Sequence, residues 1–219
     1  MKLSVLLPIY NEERELAACL DRVLASIADE IIAVDDCSTD ATPQILARYR
    51  DPRLRVMCHP QNRGKGGGVR TALEHATGDY CIIQDADTEY DPRDYAKFLE
   101  PIEQGHVRVV YGARDLSTQP LIGHLGNKFL TIATNVFCGT RLSDMETCSK
   151  VAPIALMREL HLQSRGFEIE PEITAKIAKR GVKIAEVPVA YAPRPDKKLR
   201  RFRDGFRSLF ALLKYRFAD

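Results

Sequence analysis

The sequence predicts an α/β fold: a single domain on a mainly parallel central sheet flanked by helices. Three observations carry this. Short apolar runs alternate with stretches of helical spacing through the first half of the chain, the pattern of a parallel sheet with helices on both faces. Two of those runs stop on carboxylates, which places acidic groups at the carboxyl edge of the sheet. The chain of 219 residues suits one domain with a full core.

The elements follow in order. Residues 4–8 are an apolar run closed by Pro8, hence a first strand. Tyr10-Asn11-Glu12-Glu13 turns into a helix whose buried face is Leu16, Cys19, Leu20, Val23 and Leu24. Residues 31–34 form a second strand that stops on Asp35-Asp36, with Ser38, Thr39 or Asp40 able to cap the next helix. Residues 54–58 form a third, shorter strand. A helix is expected over 67–76, and Pro92 suits the first turn of another. Residues 107–111 make a further strand, and 123–137 a helix with Leu125, Phe129, Ile132, Ala133 and Val136 on one face. Residues 144–150 read as a polar loop. Phe167-Glu168-Ile169-Glu170-Pro171-Glu172 leads into a helix ending near Gly181, and 182–191 reads as a strand. Acids at a helix start interact favourably with its dipole, so structural roles cover some of these.

Bulk properties exclude several classes. The formal net charge of +2 gives no reason to expect nucleic acid. No apolar run has the length of a membrane-spanning helix. The apolar N-terminus is too short for a signal peptide. Six cysteines lie singly, without Cys-x-x-Cys pairs or histidines at zinc spacing. They read as reduced thiols of a cytoplasmic protein.

The chemistry concentrates in Asp79-Tyr80-Cys81-Ile82-Ile83-Gln84-Asp85-Ala86-Asp87-Thr88-Glu89. This is a buried strand that ends in carboxylates. Asp87 and Glu89, with Asp85 nearby, can aim several oxygens at one hard cation. Mg²⁺ or Mn²⁺ held this way completes its shell with water and substrate phosphates. A solvated acidic turn is the other reading of the same residues. Asn62-Arg63-Gly64-Lys65-Gly66-Gly67-Gly68 likewise has two readings. Its glycines can admit a phosphate to a helix N-terminus, with Lys65 as a ligand, or they can let the helix pack closely. It is neither a P-loop nor a dinucleotide fingerprint.

The tail from 194 to 219 stands apart from the body, 1–193. Arg194, Lys197, Lys198, Arg200, Arg201, Arg203 and Arg207 are basic, and Phe202, Phe206, Leu209, Phe210, Leu213 and Phe217 recur at helical spacing. A basic amphipathic helix of this kind lies in a membrane interface or docks on protein.

The order of these motifs resembles family 2 glycosyltransferases. It runs from Ser4-Val5-Leu6-Leu7-Pro8-Ile9-Tyr10-Asn11-Glu12 through Val34-Asp35-Asp36-Cys37-Ser38-Thr39-Asp40 and Asn62-Arg63-Gly64-Lys65-Gly66 to Asp85-Ala86-Asp87. Gly112-Ala113-Arg114, Asp144-Met145-Glu146-Thr147-Cys148 and Gly166-Phe167-Glu168-Ile169-Glu170 are similar to the dolichol-phosphate mannose synthase branch, the polyprenyl-phosphate glycosyltransferases. The resemblance implies a GT-A fold, a nucleotide-sugar donor carrying uracil or guanine, Mg²⁺ or Mn²⁺, inversion at the anomeric carbon, and a polyprenyl-phosphate acceptor. Carried over by position, Pro8, Tyr10, Glu12 and Asp36 hold the nucleoside, and Asp35 and Lys65 join the donor set. Asp85 orients the ribose or the metal shell, Asp87 and Glu89 bind the cation, and Asp85, Asp87 and Arg114 form the catalytic set. Arg114, Arg194, Lys197 and Lys198 are placed for phosphate. Family members commonly carry glycine and serine where this chain has Pro195-Asp196-Lys197-Lys198.

A phosphate acceptor is already largely ionised near neutral pH and needs no general base. His59, His75, His106, His124 and His161 all lie outside the motifs. Residues 116–121 and 194–201 are candidates to close over the donor. The expected setting is cytoplasmic, with peripheral contact at the inner membrane face through the tail. The competing readings are a soluble or saccharide acceptor, and a non-catalytic nucleotide-sugar binding protein.

Overall fold

The computed structural model describes residues 1–117, 121–194 and 201–217. Its centre is a seven-stranded sheet made of β1 (Leu3–Ile9), β2 (Glu30–Asp35), β3 (Leu54–Cys58), β4 (Tyr80–Ile83), β5 (Val109–Arg114), β6 (Lys150–Pro153) and β7 (Ile184–Val189). The order is β3-β2-β1-β4-β6-β5-β7. Only β6 runs against its neighbours β4 and β5; every other pair is parallel.

β1 is buried along its whole length, which explains why its sequence is a continuous apolar run rather than an alternating one. Val5, Leu7 and Ile9 enter one core and Leu6 the other. The first core packs α1 (Leu16–Leu24) and α4 (Tyr95–Glu103) on one face of the sheet through Leu16, Leu20, Tyr95 and Phe98. The second packs α3 (Lys65–His75), α6 (Ile154–Glu159) and α7 (Ile169–Lys179) on the other through Val69, Leu73, Met157, Ile173 and Ile177. A short α2 (Thr42–Leu46) joins β2 to β3. Asp40 accepts from the Thr42 amide at 2.9 Å at its start, as a capping carboxylate does. α5 (Leu121–Cys138) and α8 (Arg201–Phe217) lie outside this sandwich. Ala211, Leu212 and Tyr215 of α8 pack on Ala175 of α7. Among the described residues, no helix is long and apolar enough to cross a membrane.

The structure corrects the sequence reading in two places and orients a third element. The helix expected from Gly67 starts at Lys65, after Gly64 turns the chain with φ 78°. The loop expected over 144–150 ends in β6, and α6 follows it directly. The apolar face of α5 points outward: Leu125, Phe129, Ile132 and Val136 are all exposed.

β6 holds a buried charge. Lys150 is 1% exposed. Its ammonium donates to the carbonyls of Met145 and Thr147 and pairs with Glu170 at 2.5 Å. It thereby ties the 144–149 segment to the start of α7. Breaking a buried pair by removing one partner leaves an uncompensated charge. Lys150→Met should therefore cost about 3 kcal/mol of stability, read as a lower urea midpoint by circular dichroism.

Candidate functional site

Parallel strands put their carboxyl ends on one edge, and β1, β2 and β4 deliver three acidic segments there. The chain leaves β1 toward β2 on one side, and leaves β4 through α4 toward β5 on the other; connections that part in this way leave a crevice at the carboxyl edge. The segments are residues 10–15, 35–36 and 85–89.

Asp87 is at the centre. It is 6% exposed. Burial, together with the charges of Asp85 and Glu89, pushes its carboxyl up to about 7, although Arg194 opposes the shift. Arg194 Nη2 lies 3.3 Å from Asp87 Oδ2. The same guanidinium forks onto Glu12 at 3.0 and 3.1 Å and comes within 3.6 Å of Glu15. Glu15 also accepts from the amide and hydroxyl of Thr88, both at 2.9 Å. Burial raises its pKa; the Thr88 bonds and Arg194 bring it below its ordinary value.

Asp85 is paired differently. Its Oδ1 is 2.7 Å from Lys65 Nζ, and Lys65 also lies 3.1 Å from Glu170. Burial acts to raise Asp85, but the ammonium wins and holds it below the usual carboxylate range. Burial likewise acts to lower Lys65, and Asp85 and Glu170 raise it well above its ordinary value. Asp85, Lys65, Glu170 and Lys150 thus alternate in charge, from the end of β4 through α3 and α7 to β6.

Glu89 has its own partners. Its carboxylate accepts from the Tyr191 hydroxyl at 3.1 Å and the Arg194 amide at 2.8 Å. It fastens the chain after β7 across the site. Arg114 donates from Nε and Nη2 to Asp144 at 2.5 and 2.8 Å, and its Cζ is 5.1 Å from the Tyr191 ring centroid. Lys197 and Lys198 lie outside the described residues, as do 118–120 within the candidate closing loop.

The donor-side residues divide by what they touch. Pro8 is buried, and a side chain on Gly68 would meet its Cβ at 2.8 Å, so Pro8 packs under α3. Tyr10 is 41% exposed at the mouth of the crevice. Asp35 accepts from the Ser38 amide at 3.1 Å. Asp36 accepts from the amides of Arg63 and Gly64, each at 2.7 Å, and its Oδ1 is 2.7 Å from His59 Nδ1. His59 is buried and reaches Thr71 Oγ1 at 2.9 Å through Nε2. The glycines pack against protein: a Cβ on Gly66 would lie 2.2 Å from the Ser164 carbonyl, and the Gly66 amide donates to Arg165 at 2.7 Å. The helix start is therefore shaped by close packing.

Four participants are invisible to motif reading. Glu15 and His59 lie next to motifs rather than in them. Lys150 and Tyr191 belong to strands or strand ends far along the chain. The signal for Lys150 was a lone lysine opening an apolar run, Val151-Ala152-Pro153-Ile154.

The donor set fits a hard divalent cation. Asp87, Asp85, Glu89, Glu12 and Glu15 all offer oxygen. Among the described residues, no three of His, Cys, Asp and Glu gather closely enough to chelate a metal by themselves. An ion held by one or two carboxylates takes water and substrate oxygens to complete its shell.

Residues 4–122 match the model of Glycosyl transferase family 2. The chain belongs to this family. Its fold is that of GT-A enzymes: the Mycobacterium tuberculosis glucosyl-3-phosphoglycerate synthase, crystallised with Mn²⁺, uridine diphosphate and glucosyl-3-phosphoglycerate, superposes with a TM-score of 0.80 at 22% identity over 98% of this chain and 79% of that one. Among curated family members, the chain is 32% identical to the low-salt glycan biosynthesis hexosyltransferase Agl6 of Haloferax volcanii, over 96% of its own length and 53% of that protein's. It is 27% identical to a dolichyl-phosphate beta-glucosyltransferase of Dictyostelium discoideum, over 98% of its length and 74% of the relative's. This family 2 chain spans about half to two thirds of the first two relatives it matches, 53% and 63%.

The Asp36 arrangement makes a prediction. Asp36→Ala frees two amides that the carboxylate now binds. Hydrogen exchange at Arg63 and Gly64 should rise at least about tenfold, the worth of one to two hydrogen bonds to a charged group, with exchange in β1 unchanged.

Proposed function

We propose that this chain moves a hexosyl group, with inversion, from a nucleoside diphosphate sugar to the phosphate of a polyprenyl phosphate. The observation that carries the donor half is Asp87: a buried carboxyl at a strand end, raised by its burial and by the charges of Asp85 and Glu89, with Arg194 3.3 Å away. Asp87, with Asp85 beside it, would hold Mg²⁺ or Mn²⁺. Such an ion neutralises the charge that grows on the departing diphosphate. Structural neighbours crystallised with uridine diphosphate and Mn²⁺ or Mg²⁺ support the reading.

In this reading each residue has a limited task. Lys65 fixes the Asp85 carboxylate, and Glu170 and Lys150 fix Lys65. Tyr10 offers a ring face to the base. Arg194 stands on the carboxylates of Glu12 and Asp87 and turns to the diphosphate once those are neutralised. Glu89 and Tyr191 hold the Arg194 backbone in reach. Arg114, oriented by Asp144, receives the acceptor phosphate. In the reaction an acceptor phosphate oxygen forms the new bond to the anomeric carbon. The bond from that carbon to the diphosphate breaks, and its electron pair leaves with the nucleoside diphosphate. No proton has to be removed, since a phosphate monoester has a second pKa near about 6. The dolichyl-phosphate relatives support the acceptor class.

Transfer of labelled hexose from UDP- and GDP-sugars to a short polyprenyl phosphate tests this. Asp87→Ala should lower turnover by about a thousandfold, roughly 4 kcal/mol of lost charge stabilisation, with the thermal midpoint retained. Transfer only to phosphorylated small molecules or saccharides would keep the donor site and reject the lipid acceptor.

Proton linkage gives a second test. The Asp87 carboxyl is raised in the folded chain, so ionising it costs stability as pH rises from about 4 toward 7. Cation binding needs it ionised, so affinity should rise with pH through that range. Mn²⁺ should bind about tenfold more tightly at pH 8 than at pH 6, and Asp87→Asn should flatten that slope in a calorimetric titration.

A further inference from the structure

Buried polar atoms in a folded chain nearly always have a partner, and an exception points to a water, a ligand or a catalytic role. Among the described residues, three enclosed side-chain oxygens make no hydrogen bond: Glu146 Oε1, Thr147 Oγ1 and Glu170 Oε1. Glu170 Oε1 has Lys65 as an ion partner at 3.1 Å. The other two belong to neighbouring residues, so they fall at one place. Thr147 is fully enclosed, whereas Glu146 is half-buried and keeps an open side.

The backbone at this place is pinned. The amides of Ser143 and Asp144 donate to the Glu186 carboxylate at 2.7 and 3.0 Å. The Met145 amide donates to Thr131 Oγ1 at 3.2 Å, and the Cys148 amide to the Tyr90 hydroxyl at 3.4 Å. Lys150 holds the carbonyls of Met145 and Thr147, one on each side of residue 146. Glu146 is therefore presented by a segment fixed before and after it.

Its surroundings are those of the site. The charged groups that act on its carboxyl are Lys150 of β6, Glu170 of α7, Arg114 at the end of β5, and Asp144 in its own segment. The Lys150 ammonium is engaged by the two carbonyls and by Glu170. Arg114 donates from Nε and Nη2 to Asp144. Burial pushes the Glu146 carboxyl up to about 7; Glu170 and Asp144 add to this, and Lys150 and Arg114 oppose it. Below that pH the group is a neutral acid with an O–H to donate.

We propose that Glu146 is an acceptor-binding residue, whose carboxylic acid donates a hydrogen bond to a phosphate oxygen of the acceptor beside Arg114. The inference rests on the phosphate acceptor proposed above and adds a residue to it. Arg114 brings charge to the phosphate. Glu146 brings a donor, and its ionised form would repel the same phosphate. The group therefore admits the acceptor while protonated and turns it away once ionised. A hydroxyl acceptor would ask the opposite of Glu146: the carboxylate would serve as general base, and the rate would climb with pH.

Hexosyl transfer to farnesyl phosphate tests this, with UDP- or GDP-sugar and Mn²⁺ saturating at every pH. In the parent chain, kcat/KM for farnesyl phosphate should fall about tenfold between pH about 7 and about 8.5. Glu146→Gln keeps an N–H donor at every pH, so the alkaline fall should vanish. Glu146→Ala should raise the KM for farnesyl phosphate about tenfold at pH about 6.5, the worth of one hydrogen bond to a charged group. Glu146→Gln should recover most of that loss, and the donor KM should not follow it. If the alanine variant does not fold, the glutamine profile decides alone. The same alkaline fall in Glu146→Gln as in the parent would overturn the role of Glu146 and leave the phosphate acceptor standing. An unchanged acceptor KM in a folded Glu146→Ala would do the same. A parent chain that fails on farnesyl phosphate, and transfers to a hydroxyl acceptor at a rate that climbs with pH, would overturn both.

Discussion

The rest of the site depends on how a crowd of carboxylates is kept folded at one sheet edge. Glu12, Glu15, Asp85, Asp87 and Glu89 converge there because β1 and β4 are adjacent and parallel. Among the described residues, two cations divide the load. Lys65 takes Asp85, backed by Glu170 and Lys150. Arg194 takes Glu12 and part of Asp87. Buried charge of one sign is costly unless paired, and Asp87 is the place where pairing runs short.

The two halves of the network differ in kind. In the first, Lys65 pairs with Asp85 and Glu170, and Glu170 with Lys150, so that α3 and α7, on one face of the sheet, are tied to β6 and to the end of β4. The Arg194 fork stands on the chain that follows β7, fastened by Glu89 and Tyr191. It connects the far end of the sequence to its first turn, since Glu12 and Arg194 are 182 residues apart. A ligand that neutralises the acids and offers phosphate to the guanidinium competes for both ends of this fork at once.

The parallel half of the sheet is legible in the sequence because each strand is an apolar run with a polar stop. β6 is not, because its first residue is a lysine and its last a proline. Lys150 reads as loop until the carbonyls of Met145 and Thr147 and the Glu170 carboxylate are seen around it. The carboxylates Asp85, Asp87 and Glu89 are legible as a cluster, but not their separate partners, which come from α3, β7 and beyond. His59 is legible only as a histidine outside the motifs; its pairing with Asp36 depends on β2 and β3 lying side by side. For α5 the helical period is plain in the sequence, but periodicity does not say which way a face points. The inner side of α5 is filled by Leu130, Thr131 and Thr134 instead.

The central claim is that the acidic end of β4 is a cation-assisted nucleotide site. Isothermal titration of the whole chain with UDP, with and without Mn²⁺, tests it most directly. Binding should require the metal, and Asp87→Asn should remove the gain that the metal brings. UDP and GDP that bind equally well without metal, or not at all under either condition, would contradict it.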